Sequence, residues 1–280
     1  MASDVQEEYD DVPIMDQLAD NLEIPEDAEI VGGIVFESFA ELLEGGVPEA
    51  QVLVDDVLYA EGLHIVSGHP GDGKTSWLMQ LAWLTMSQGR HVVWLDYEGG
   101  IKPTLRRLLA VGVPGELLLE RFHYASFPAH AEQHLEAVGE RWPGALVVMD
   151  SFSKALAYAG VNENDPPEVT QWTVPVVKTC KQHGMPIVII DHVPKNAPGS
   201  KYSRGAGSKL ADVDVHWRVE KVADFNRDTV GGIEVRQMKD REGYLPFATW
   251  WTMGDGQGRL TVVRLNEPPP ADGDADSPSI

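Results

Sequence analysis

The stretch Leu63 to Trp77, LHIVSGHPGDGKTSW, constrains this chain more than any other. Leu63 to Val66 is a short, mostly apolar run with β-branched members, and it reads as a buried strand. Gly68-His69-Pro70-Gly71-Asp72-Gly73-Lys74-Thr75 then fits G-x-x-x-x-G-K-[ST]. Ser76 to Ser87 follows as an apolar run of helical length. In a strand–loop–helix setting, glycines at 68, 71 and 73 let backbone N–H groups close on phosphate oxygens, and the helix N-terminus adds partial positive charge. The pattern assigns Gly68, Pro70, Gly71, Asp72, Gly73, Lys74, Thr75 and Ser76 to nucleotide binding. Lys74 is expected to reach the β- and γ-phosphates, and the Thr75 hydroxyl to bind Mg²⁺.

The 280 residues are enough for one sizeable core with tails. No apolar stretch approaches the length of a membrane span. The N-terminus is acidic and lacks the pattern of a signal peptide. The single cysteine, Cys180, precludes a disulfide framework, suits a reducing cytosol and reads as a buried, inert thiol. A cytoplasmic protein, of a bacterium or a phage-infected host, is expected. The net charge of −22 sits in the tails. Residues 1–50 hold 15 acids and no Lys or Arg, residues 267–280 hold four acids and no bases, and the middle is near neutral. Residues 1–47 therefore read as an acidic arm, solvated or docked on a neighbouring subunit. Residues 48–266 read as the folded domain and 267–280 as an acidic, Pro-rich tail.

Along the chain, apolar strands alternate with helices. A short helix is expected at Phe36–Leu43. Strands are expected at His91–Leu95, Phe122–Ala125, Ala145–Met149 and Ile187–Ile190. The helices between them are expected at Lys102–Val111, Ala129–Arg141 and Pro167–His183, the last kinked at Pro175. That alternation predicts an α/β fold, a mainly parallel sheet with helices on both faces. From Val213 the pattern changes to strands without helices (213–219, 230–238, 244–251 and 260–264), which predicts an antiparallel extension at one edge.

Ligands of open α/β sheets sit beyond the carboxyl ends of the strands. Asp150 ends an apolar strand roughly 80 residues downstream of the P-loop, where an aspartate holds Mg²⁺ through water. Glu98, just beyond the strand after the P-loop helix, can orient or deprotonate the attacking water; Asp96 competes, but it lies nearer the strand and can fix the turn. His192 ends the strand after that of Asp150 and can sense the γ-phosphate. Residues 194–210, PKNAPGSKYSRGAGSKL, carry Lys195, Lys201, Arg204, Lys209 and Tyr202 and no acids, a composition suited to a single-stranded nucleic-acid backbone. Lys239 and Arg241 can stabilise transition-state charge at a neighbour's nucleotide, or form an ion-pair ladder with Glu234, Asp240 or Glu242. His130 and His134 have metal-ligand spacing but no accompanying ligands, and they read as a solvated helix face.

Together these segments resemble the RecA-like ATPases, in the hexameric helicase branch that includes DnaB and the plasmid RepA helicase. The resemblance spans roughly 50–250 and rests on GHPGDGKTS, WLDYEGG, LVVMDSFSK, IVIIDHVPK, SRGAGSKLADVDVHWRV and MKDREG. It implies a RecA-like fold, ATP and Mg²⁺, Glu98 as the catalytic glutamate, His192 as sensor, and a homo-oligomer, a hexamer by the family's habit, with nucleotide at subunit junctions. It also implies single-stranded DNA at the 194–210 loop. RepA resemblance makes Arg204 the finger in trans; DnaB resemblance makes it Arg241, with Lys239 beside it. The acidic first 50 residues do not match the helical N-terminal domain of DnaB-type proteins. The expectation is a DNA replication or recombination motor of phage or plasmid type. A filament-forming recombination mediator is one alternative; the other is an ATP-switched scaffold that binds a replication partner through its acidic tails.

Overall fold

A computed structural model describes residues 29–31, 34–36, 38–46, 49–54, 56–128, 130–192 and 213–268. The chain divides into two units, Met1–Glu49 and Ala50–Ile280. In the first, β1 (Glu29–Val31) pairs antiparallel with β2 (Ile34–Phe36), and α1 (Ala40–Gly45) follows. The helix expected from Phe36 thus begins four residues later, because Phe36 closes a strand.

The second unit opens with a hairpin of β3 (Val52–Val54) and β4 (Leu58–Tyr59). Next come β5 (Leu63–Gly68), α2 (Lys74–Ser87), β6 (Val92–Asp96), α3 (Ile101–Val111), α4 (Gly115–Arg121) and β7 (Phe122–Ser126). A 3₁₀ turn (Ala131–His134) leads into α5 (Leu135–Arg141), β8 (Leu146–Asp150), α6 (Phe152–Tyr158), α7 (Pro166–Gln182) and β9 (Ile187–His192). The chain ends in β10 (Val215–Ala223), β11 (Gly231–Asp240), β12 (Ala248–Met253) and β13 (Val262–Leu265).

Nine strands form one sheet in the order β13-β12-β11-β10-β5-β9-β8-β6-β7. From β10 to β7 every pairing is parallel; β11, β12 and β13 extend the sheet antiparallel. The expected fold class is therefore the observed one. Strand alternation assigns side chains to two cores. Val92 and Trp94 join α2 on one face with Trp77, Leu78 and Met86. Val93 and Leu95 join α6 and α7 on the other with Phe152, Trp172 and Cys180.

Several local expectations change. The stretch before β7 is a helix, α4, not a lead-in. His130 and His134 bracket a 3₁₀ turn, with His130 in left-handed backbone (φ 51°), so they share no α-helical face. The helix α6 follows directly on Asp150, where no helix was expected. Its core-facing residues, Phe152, Ala155 and Leu156, are too few to show a period in sequence. The strand expected from 244 begins at Ala248, because Asp240 Oδ2 accepts Leu245 N–H (3.0 Å) and bends the preceding residues into a turn. The helix α7 runs unbroken through Pro175. Among the described residues, no helix is long and apolar enough to cross a membrane.

The antiparallel extension walls the P-loop. Trp251 of β12 meets Trp77 of α2 edge-on, with ring centroids 6.1 Å apart and planes at 75°. Both rings are fully buried.

Candidate active site

The P-loop joins the central strand β5 to α2. Gly68 lies so close to β10 that an added Cβ would stand 2.4 Å from the Val219 carbonyl oxygen. Gly73 caps α2 in left-handed backbone (φ 90°), against Phe225, Met253 and Ile233. Asp72 closes the loop: its Oδ2 accepts His69 N–H (2.8 Å), and its own N–H donates to His69 O (3.2 Å). Pro70 and Gly71 form the exposed tip, and Ser76 is buried in the first turn.

Lys74 is buried, and its Nζ donates to the carbonyls of Gly68 and His69 at 2.8 Å each. Desolvation lowers its pKa, opposed by the charges of Asp72, Asp150, Glu98 and Asp191. The ammonium is therefore held inside the loop among carboxylates rather than in solvent.

The parallel pairing of β6 with β8 sets Asp96 opposite Asp150. Asp96 is buried and accepts five hydrogen bonds: Glu98 N (2.8 Å), Gly99 N (2.8 Å), Gly100 N (3.1 Å), Thr104 Oγ1 (2.9 Å) and Tyr124 OH (2.7 Å). Burial raises its pKa, but these donors outweigh it and the net shift is downward. With both oxygens committed, Asp96 shapes the turn that carries Glu98.

Glu98 is half-buried. Its Oε1 accepts Ser151 Oγ–H (2.6 Å) and lies 3.2 Å from His192 Nε2. The bond to His192 is the largest cause holding its pKa down at about 2; the bond to Ser151 and the charges of His192 and Lys154 add to it against burial. Glu98 is thus an ionised acceptor at neutral pH. Asp150 behaves oppositely. Burial, then the charges of Glu98 and Asp96, push it up to about 6. Its Oδ2 accepts Thr75 Oγ1–H at 3.3 Å.

This excess of negative charge beside the Thr75 hydroxyl fits a divalent cation, which would relieve the repulsion. Among the described residues no group of three His, Cys, Asp or Glu forms a metal cage. The set present, one hydroxyl and one carboxylate, suits Mg²⁺ that takes its remaining oxygens from phosphate and water.

The structure thus brings Lys74, Thr75, Asp150, Glu98 and His192 together at the carboxyl edge of β5, β8, β6 and β9. It keeps Lys239 and Arg241 apart. Lys239 pairs across from His216, which pairs with Ile65 near the start of β5. Arg241 lies one residue beyond β11; its N–H donates to Asp214 O (2.9 Å) and its Nη1 meets Asp214 Oδ1 at 3.1 Å. Asp214 N–H in turn donates to Leu63 O. Arg241 therefore stands level with the start of β5, about five residues or ~17 Å along the strand from Gly68. Arg204 and the 194–210 loop lie outside the described residues, as do residues 1–28 and 269–280.

Sequence reasoning missed Ser151, Tyr124 and Thr104, whose hydroxyls orient the carboxylates. It also missed the buried pair Ser67 Oγ and His216 Nε2 (2.8 Å) behind the P-loop. For Ser151 a signal was present, since it directly follows the strand-end Asp150.

A P-loop on a central parallel strand, flanked by strands ending in an aspartate and a turn glutamate, defines a RecA-like P-loop ATPase fold. A model of the AAA domain family matches residues 34–198, more than half of the chain, and the chain belongs to that family. Among solved structures, the ATPase domain of a DnaB-like phage helicase matches with a TM-score of 0.62 at 12% identity, over 81% of this chain and 99% of that one. At this identity the likeness is one of fold. With 604 solved chains matching, the fold is too widely shared to single out a task. No curated protein matches the chain.

Proposed function

We propose that this chain is a Mg²⁺-dependent ATPase that drives a single-stranded-DNA motor of helicase type in replication or recombination. The observation that carries the hydrolytic reading is the ionised Glu98 carboxylate, held by Ser151 and His192 on the same sheet edge as Lys74, Thr75 and Asp150. Bound Mg²⁺ would supply charge neutralisation at the phosphates, held by Thr75 and, through water, by Asp150. Lys74 stabilises phosphate charge, the Gly68–Ser76 backbone cradles the nucleotide, and Glu98 orients and deprotonates the attacking water.

The motor reading rests on two placements. His192 bonds Glu98 and is the last described residue before the basic 194–210 segment, so γ-phosphate loss at Glu98 has a short path to a DNA-binding loop. Arg241 and Lys239 stand too far from their own P-loop to serve it, which fits use at a neighbour's nucleotide in a ring; the likeness to a helicase ATPase domain favours a hexamer. Arg204 remains the alternative finger, and the acidic tails are candidate contacts for a replication partner.

Steady-state ATP hydrolysis with and without single-stranded DNA, at low and moderate salt, tests this. Strong DNA stimulation that is lost in Glu98→Gln is expected. Turnover indifferent to DNA overturns the motor, and undiminished turnover in Glu98→Gln or Lys74→Ala overturns the hydrolytic site.

A further inference from the structure

Ser151 is not part of the P-loop pattern, and it is neither a metal-holding nor a proton-accepting group. It is fully buried and occupies the N-cap position of α6. A serine at that position ordinarily accepts a backbone N–H of the first turn. Here the side chain makes no capping bond. Its hydroxyl donates instead to Glu98 Oε1 at 2.6 Å, a length typical of a strong bond to a charged acceptor.

The turn that carries Glu98 is tied to the same point of the sheet. Tyr97 N–H donates to Asp150 O at 2.6 Å, and Asp96 gathers the N–H groups of Glu98, Gly99 and Gly100. The backbone of the turn is thus fixed, and what remains to be set is the side-chain torsion of Glu98. Ser151 and His192 both engage Oε1. A carboxylate restrained through one oxygen presents the other in a defined direction, so Oε2 is the oxygen placed to take a proton.

The geometry points to Ser151 as a positioning residue for Glu98: its hydroxyl locks the carboxylate so that Oε2 faces the attacking water. This rests on the reading of Glu98 as the base. Ser151 directly follows Asp150, so one strand end holds the metal site with one residue and aligns the base with the next. Any shift of β8 moves both together. His192, on the adjacent strand β9, bonds the same oxygen from a second direction and is the partner that can let go when the γ-phosphate changes.

The test uses the full chain with Mg²⁺ and ATP, in single-turnover and steady-state assays of Ser151→Ala, Glu98→Gln and the double variant. Thermal melting and binding of a fluorescent ATP analogue are followed in parallel. Ser151→Ala is expected to lower kcat about tenfold, since a misdirected base loses part of its advantage, with KM within about twofold of wild type. Melting temperature and analogue binding stay unchanged, because the hydroxyl caps nothing. In the Glu98→Gln background the serine substitution has no further effect.

An unchanged kcat in Ser151→Ala, beside a collapsed kcat in Glu98→Gln, overturns the positioning role alone. The same tenfold loss in both backgrounds, or a fall in melting temperature that accounts for the lost rate, also overturns it, by showing that the serine acts through structure. Wild-type turnover in Glu98→Gln overturns the base reading beneath it.

Discussion

Replacing Trp251 by Ala tests whether the antiparallel strands and the P-loop helix share one core. The Trp251 ring is fully buried, packs edge-on against Trp77, and donates from Nε1 to Thr249 Oγ1 at 2.9 Å. Truncating a buried tryptophan to alanine costs about 3–5 kcal/mol, and losing an edge-to-face pair adds about 0.5–1.5 kcal/mol. The expected loss of about 4–6 kcal/mol is a large part of an ordinary stability of about 5–15 kcal/mol. With an m-value of about 2–3 kcal/mol per M, the urea midpoint falls by about 2 M. Trp251→Phe keeps the ring pair and loses mainly the indole N–H, so a loss of about 1–2 kcal/mol is expected. Trp77 stands three residues after Lys74, so nucleotide affinity should fall with stability in the alanine variant. A loss under about 1 kcal/mol, or separate unfolding of the C-terminal strands, would refute the shared core.

Asp150→Asn should stabilise the chain while abolishing turnover. Burial and neighbouring carboxylates raise the folded pKa from 3.8 to about 6. The folded state then binds this proton more tightly than the unfolded state, so wild-type stability falls as pH rises through that window. The variant should lose this fall and gain up to about 3 kcal/mol at pH 7; parallel stability–pH curves from urea unfolding would contradict the assignment. Arg241→Ala and Lys74→Ala should each lose turnover, by about 10³-fold or more for the finger. Mixed in equal amounts, subunits of the two variants should regain part of it, because about a quarter of ring junctions combine an intact Lys74 with a neighbour's intact Arg241. No recovery removes Arg241 as a finger acting across the junction.

What was legible in the sequence is local. The P-loop needs its glycines, lysine and threonine in consecutive order, because one strand–turn–helix builds the whole cradle. Buried parallel strands show as apolar runs, and the loss of helical periodicity after Val213 announced the antiparallel edge. The unbroken apolar run from Leu146 to Met149 is enough to place Asp150 at a strand end, since the run stops there. Boundaries were less legible wherever one side chain decides them, as Asp240 does for the turn before β12.

Only the tertiary structure decided which acids do what. Asp96 and Glu98 are two residues apart and alike in charge. What separates them is that five donors, from three backbone amides, Thr104 and Tyr124, converge on Asp96, while Ser151 and His192 come from other strands to meet Glu98. The sheet register likewise set Arg241 beside Asp214, level with the start of β5 and away from its own P-loop. Sequence carries a motif when its atoms lie within one turn of chain. It carries no record of hydrogen bonds between strands that are far apart along the chain, as Glu98 is from Ser151 and His192, because those partners meet only once the parallel sheet has brought their ends to one edge.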